Sequence, residues 1–150
     1  METLDKSLSK KLPTKLRENL SNWLEYNQAF FKEIEIESSN VIHLINGTKL
    51  MWSDFIPGFG PWLNHKYIIL VTKDKIHVVR RGFLKITKII TKYEYSIDSI
   101  SSVDYEIERF SENITINFSD NNSLKLVYLD KGLSEPLKRI VKEGVDEFIT

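Results

Sequence analysis

The sequence predicts a mainly β, α+β fold: seven antiparallel strands curved into a barrel or sandwich, a C-terminal helix that caps it, and an N-terminal helical extension. Three observations predict it. Seven segments beyond residue 40 are rich in β-branched and aromatic residues. Short turn-forming runs separate the later segments, so neighbours are antiparallel. The chain ends on an apolar stripe at helical spacing. Its 150 residues suit one ordinary domain with a core of its own, divided here into an extension over 1–40 and a β-domain over 41–150.

From about Pro13 to Tyr26, Leu16, Leu20, Trp23 and Leu24 recur at helical spacing with charged residues between them, which is an amphipathic helix. Pro13 suits its first turn, where a missing N–H is harmless. The pattern can continue through Phe30, Phe31 and Ile34, but Glu33-Ile-Glu-Ile-Glu37 alternates with period two. A helix end and a short strand are both consistent with that run. Ser38-Ser-Asn40 then punctuates the chain.

The seven strands are expected at 41–45, 66–72, 76–80, 86–95, 100–110, 114–118 and 124–129. Lys73-Asp-Lys75, Arg81-Gly82, Ser111-Glu-Asn113 and Ser119-Asp-Asn-Asn-Ser123 supply the turns. Ile114, Ile116 and Phe118 alternate with Thr115 and Asn117, as in a strand wet on one face. Ser134 is expected to cap the last helix, with Glu135 at its positive end and Pro136 in its first turn. Leu137, Ile140, Val141, Val145, Phe148 and Ile149 form one stripe able to cover the open end of a curved sheet.

Composition narrows the function. With no cysteine, disulfides, thiolate metal sites and a cysteine nucleophile are excluded. The N-terminus lacks a basic stretch followed by an apolar core, and no segment approaches membrane-spanning length. The expected location is cytoplasmic, with membrane-peripheral association as the alternative. The charge balances at 21 basic and 21 acidic residues, which argues against nucleic acid as a partner. It is unevenly placed, however: between Asn64 and Tyr95 stand Lys66, Lys73, Lys75, Arg80, Arg81, Lys85, Lys88 and Lys92 against Asp74 and Glu94.

The runs Tyr67-Ile-Ile-Leu-Val-Thr-Lys-Asp-Lys-Ile-His-Val-Val-Arg80 and Tyr95-Ser-Ile-Asp-Ser-Ile-Ser-Ser-Val103 resemble the small bacterial members of the pleckstrin-homology-like superfamily, the YokE-like group. The resemblance covers about Val41 to Ile149. It implies seven strands followed by one helix, and a habit of binding proteins or lipid headgroups rather than catalysis. Phosphoinositide-binding members carry a basic cluster over the first two strands; here Lys49 and Lys66 are the lysines near that position.

Two sets of residues stand out as candidate contacts. Leu50 to Leu63 falls between the first two strands and is apolar for a loop, with Trp52, Phe55, Ile56, Phe59 and Trp62. These side chains either pack under the N-terminal helix and its Trp23 or meet a partner or bilayer. Lys66, Arg80, Arg81, Lys88 and Lys92 form a candidate patch for an anionic partner; a solvated edge guarded by lysines is the bland alternative. In a strand, Lys88 and Lys92 share a side and Lys85 points to the other. His43, His65 and His77 lack any metal-ligand spacing, and no phosphate loop, nucleophile elbow or zinc-hydrolase helix is present, so neither cofactor nor metal is expected. The expected function is a non-catalytic scaffolding module that binds a protein partner or itself through Trp23, Trp52, Phe55, Phe59 and Trp62. A peripheral membrane module is the alternative, and a small-ligand enzyme the third reading.

Overall fold

A computed structural model of the protein describes residues 28–37, 40–49, 65–81 and 89–149, together with Glu18 and Asn22. Glu18 and Asn22 are helical and exposed; the rest of the helix expected over Pro13 to Tyr26 lies outside the described residues, as do the aromatic run 50–63 and Lys85 and Lys88. The elements in order are α1 (Gln28–Ile34), β1 (His43–Lys49), β2 (His65–Val71), β3 (Lys75–Arg81), β4 (Ile89–Ser96), a one-turn 3-10 segment (Ile97–Ser99), β5 (Ile100–Ile107), β6 (Glu112–Phe118), β7 (Ser123–Leu129), α2 (Ser134–Glu143) and α3 (Val145–Ile149). Seven strands and a closing helical segment match the predicted fold class.

The strands form one antiparallel sheet in the order β4-β3-β2-β1-β7-β6-β5. Among the described residues β4 and β5 do not pair, so hydrogen bonds leave the barrel open along that line. Side chains bridge it: Tyr95 at the end of β4 stacks on Phe118 at the end of β6, with ring centroids 4.3 Å apart. Close by, the Ser119 N–H donates to the Ser99 carbonyl at 2.8 Å.

The two halves of the sheet differ in what they bury. In β6 every second residue is buried, Glu112, Ile114, Ile116 and Phe118, with half-buried residues between. That is the pattern of a strand with one wet face. In β2 and β3, by contrast, Ile68 to Val71 and Ile76 to Val79 are buried without interruption. Residues directly opposite each other in antiparallel strands point to the same face, so the register settles which face each takes. His43, Ile45, Ile69, Val71, Ile76 and Val78 face the barrel interior. Leu44, Ile68, Leu70 and Val79 face outward and are buried too.

Helix α1 sits on that outer face. Lys92, the cross-strand partner of Val79, reaches from it to donate to the Ile34 carbonyl at 2.8 Å. The buried side chains of α1 are Phe30, Phe31 and Ile34, the helical spacing seen in the sequence. The two rings meet edge to face with centroids 5.5 Å apart. The run Glu33 to Glu37, open between helix end and strand, is a helix end. Glu35 takes a left-handed φ of 59°, its N–H bonds to the Lys32 carbonyl at 3.4 Å and the Ile36 N–H to the Phe31 carbonyl at 3.3 Å. Those paired bonds satisfy carbonyls that the helix leaves open.

Three expectations are corrected. The first strand, expected at 41–45, runs from His43 through Asn46-Gly47 to Lys49. Gly47 is there because β1 passes close over β7: a Cβ would stand 2.8 Å from the Leu126 Cβ and 3.1 Å from the Leu129 Cδ1. Strand β5 ends at Ile107 rather than 110, and the chain turns at 108–111, where the Glu108 N–H donates to the Ser111 carbonyl at 2.8 Å. The C-terminal stripe is two helices, because Gly144 adopts a φ of 92° after its N–H bonds to the Ile140 carbonyl at 2.9 Å. The stripe still faces one way, with Leu137, Ile140, Val145 and Phe148 buried.

Gly47→Ala is expected to destabilise the protein by roughly 1–3 kcal/mol, the usual range for overfilling a packed site. The first carbon of Leu126 is fixed to its backbone and cannot swing aside. A lowered urea midpoint at unchanged slope would show it; an unchanged midpoint would mean that β1 and β7 separate freely.

Candidate functional site

Trp23, Trp52, Phe55, Phe59 and Trp62 lie outside the described residues. What the structure fixes is the base of the run 50–64. Lys49 and His65 are cross-strand partners, so residues 50–64 leave and return at one point of the sheet. Thr48 pairs there with Val127, which brings β7 alongside.

The basic set divides between two faces. Lys66 pairs with Arg81 and lies on the outer face with Lys92, whereas Arg80 pairs with Tyr67 on the opposite face. Two of the cations are engaged by polar groups of the fold. Lys66 Nζ donates to Thr48 Oγ1 at 3.1 Å. Lys92 Nζ closes the end of α1 and stands 3.7 Å from the Glu94 carboxylate. Arg81 is half-buried, and burial pushes its guanidinium below the ordinary value. The Arg80 Nε is buried without a hydrogen-bond partner among the described residues. Beside it, burial raises the Tyr67 hydroxyl and the Arg80 charge partly offsets that.

A buried polar group joins β1, β6 and the start of α2. Ser134 does not cap the helix as expected: it is the first helical residue, Leu133 precedes it, and no side chain at that position caps. The cap comes instead from Glu112 on β6, whose carboxylate accepts from the Gly132 N–H and, at 3.2 Å, from the Ser134 N–H. A carboxylate suits the positive end of a helix and satisfies donors that would otherwise be stranded in the core. His43 Nε2 lies 2.8 Å from the Leu133 carbonyl; a carbonyl only accepts, so the proton is on Nε2. Burial pulls the His43 pKa down to about 4, against the small upward pull of that bond.

Glutamate, histidine and serine together suggest hydrolytic chemistry, yet the geometry serves structure. Ser134 and His43 are fully buried and Glu112 nearly so, and the carboxylate bonds backbone rather than imidazole. No substrate reaches Ser134 Oγ. His77 lies on the opposite face of the sheet from His43, 3.6 Å from the Glu94 carboxylate. Burial lowers its pKa, and Glu94 partly opposes that. Among the described residues no three His, Cys, Asp or Glu side chains gather as a metal site, and no helix is long and apolar enough to cross a membrane.

One surface feature was missed in the sequence. Phe110, at the tip of the β5–β6 hairpin, is 83% exposed, and Tyr128 is 64% exposed. Together with Glu108, Arg109, Ser111, Asn113 and Val127 they line a shallow groove. Tyr128 owes its position to a bulge: Glu112 pairs with Leu129 but Ile114 with Leu126, so β7 carries one residue more than β6 over this stretch. The extra residue lets Val127 turn to β1 while Leu126 and Leu129 stay inside. Tyr128 is pushed outward at a φ of 61°. The signal was a phase slip, since Leu124 and Leu126 keep period two and the next buried leucine is Leu129 rather than residue 128.

The strand order, the open seam between β4 and β5 and the C-terminal helices define a seven-stranded antiparallel barrel closed by a helical segment. No protein-family model matches the chain, and no curated protein is similar to it in sequence. Among solved structures it is similar to the pleckstrin homology (PH) domain of USP37, with a TM-score of 0.44 and 13% identity over 69% of this chain and 97% of that one.

The histidine sets a pH dependence. His43 titrates near 6.5 when unfolded and at about 4 when folded, so the unfolded chain binds the extra proton first. Stability is therefore full above pH 6.5 and is lost as the pH falls towards 4, by on the order of 3 kcal/mol. Urea midpoints for the wild type should fall more steeply over that window than those for His43→Gln, which keeps a donor and does not titrate. Parallel curves would mean that His43 is solvated in the folded state.

Proposed function

We propose that the protein is a non-catalytic binding module that engages a protein partner through its N-terminal helical segment and the aromatic run 50–63. The contact residues in this reading are Trp23, Trp52, Phe55, Phe59 and Trp62. Residues 1–40 act as a helical extension of a 41–150 PH-like domain of the small bacterial YokE-like kind, working in the cytoplasm.

The observation that carries the reading is that Lys66 and Lys92 are engaged within the fold and that Arg80 is turned away from them. A surface for anionic lipid needs several basic side chains turned together towards the headgroups, each adding about 1 kcal/mol. Here Lys66, Arg81 and Lys92 share one face while Arg80 lies on the other, and Lys66 and Lys92 hold Thr48 and the end of α1. Aromatic anchors rooted on paired strand ends suit a desolvated protein contact, where Trp and Tyr dominate binding energy. Catalysis finds no support in the buried Glu112, Ser134 and His43 group.

Cosedimentation with anionic and with neutral vesicles, at low and at physiological salt, separates this reading from its rival. The full chain is expected to stay in the supernatant under all four conditions, with unchanged tryptophan emission. Pelleting on anionic vesicles alone, with a blue shift abolished by Trp62→Ala, would replace the protein-partner reading with a peripheral membrane one.

A further inference from the structure

We infer that the stretch following α1, Glu35 to Glu37 with Asn40, is a pH-sensitive lid over His77, closed while the imidazole is neutral and released when it takes up a proton. His77 stands on the outer face of β3, between its cross-strand partners Leu70 on β2 and Glu94 on β4, and is 6% exposed. Glu35, Ile36, Glu37 and Asn40 from the lid meet Thr72, Lys73 and Asp74 from the β2–β3 turn around it as the walls of a small cavity. The lid is lightly held. Its first two amides bond back to α1 at 3.4 and 3.3 Å, Ile36 is half-buried, and Glu35 is held at a left-handed φ of 59°, a conformation that costs a glutamate energy and persists only while its surroundings enforce it.

The hydrogen bonds of the imidazole set its state. The Thr72 hydroxyl donates to the Lys75 carbonyl at 3.3 Å, so its oxygen accepts from His77, and the ring proton is on Nε2, 3.5 Å away. Nδ1 therefore carries the lone pair. It is buried without a hydrogen-bond partner among the described residues, and it faces the Glu94 carboxylate at 3.6 Å. Two acceptors oppose each other, and only a second proton makes Nδ1 a donor. That proton brings in a charge. The Glu94 carboxylate already serves two ammonium groups, Lys75 at 3.6 Å and Lys92 at 3.7 Å. Asp74 and Lys73 in the turn oppose each other in sign, and Glu35 and Glu37 stand in the lid itself. Hydrating a third cation there requires the lid to lift. Burial outweighs the pull of Glu94 and lowers the His77 pKa, so the closed form holds the proton less tightly than the open one and acid favours opening. The Lys92 ammonium also holds the Ile34 carbonyl, so the new charge is felt at the residue before the lid.

The inference is independent of the partner surface proposed above. Nuclear magnetic resonance of the full chain tests it, following the His77 ring signal and the exchange of the Ile36 amide from neutral to mildly acid pH. Above the His77 midpoint Ile36 should exchange together with Ile69 of β2. Below it, Ile36 should lose protection relative to Ile69, and His77→Gln, which keeps a donor for Thr72 and does not titrate, should abolish that loss. His43 titrates in both chains, so the comparison isolates His77. Linkage requires the reciprocal effect, which does not depend on His77→Gln folding. Ile36→Ala, which loosens the lid, should raise the His77 midpoint towards the ordinary imidazole value, and Glu94→Gln should lower it further. An Ile36 amide that follows Ile69 at every pH overturns the inference. So does a His77 midpoint at or above the ordinary value, or one that Ile36→Ala leaves in place.

Discussion

Strands β2 and β3 are buried on both faces over Ile68–Val71 and Ile76–Val79. Their pleat sends Ile69, Val71, Ile76 and Val78 into the barrel and Ile68, Leu70 and Val79 out of it, and all seven are buried. A barrel with that half-sheet bare would leave Leu44, Ile68, Leu70 and Val79 in water, forfeiting roughly 6–12 kcal/mol at 1.5–3 kcal/mol per side chain. That is comparable to the whole stability of an ordinary domain. Something must cover the outer face, and α1 lies there with Phe30, Phe31 and Ile34 turned inward. The same requirement explains Lys92. A lysine beside Val79 on this face is tolerable because its ammonium meets the open carbonyl of Ile34, at the negative end of the helix.

The second constraint is the corner where β1 meets β7. One pairing, Thr48 with Val127, joins the two halves of the sheet, and the approach is close enough that only a glycine fits at 47. The bulge at Val127 and Tyr128 belongs to the same corner, because a strand that must serve two neighbours at different angles needs an extra residue. Next to it, Glu112 and His43 tie the start of α2 to β6 and β1 through backbone groups. The polar core is therefore concentrated where the closing helix begins. Its titratable members fix a helix end.

Much of this was legible in the sequence. The seven strands and the helical close follow from β-branched runs and turn chemistry, and β6 is readable residue by residue because one wet face imposes strict alternation. The uninterrupted apolar runs of β2 and β3 are equally visible, and together with an amphipathic N-terminal helix they point to a cover. The misses share a physical cause, namely that tertiary geometry overrode a local signal. The first strand was expected to stop at Ile45, yet it runs on through Gly47, which answers the close approach of β7. Phe110 extends a strand-like run, yet it stands in a turn. Ser134 is a good capping residue displaced by a carboxylate from β6, and no local pattern could have named Glu112. The basic residues were legible as a set but not as a surface, since cross-strand register decides that Arg80 and Arg81 part company.

The central claim is that α1 belongs to the cooperative core because the outer face of β2 and β3 cannot be left uncovered. Residue-resolved hydrogen exchange on the full chain tests it most directly, comparing wild type with Phe30→Ala. The account predicts that the Ile36 amide, which closes α1, and the amides of Ile68 to Val71 and Ile76 to Val79 exchange through one common opening. Phe30→Ala should lower protection of all of them together, by about 3–5 kcal/mol. An Ile36 amide that exchanges freely while the strands keep full protection, unchanged by the substitution, would contradict it.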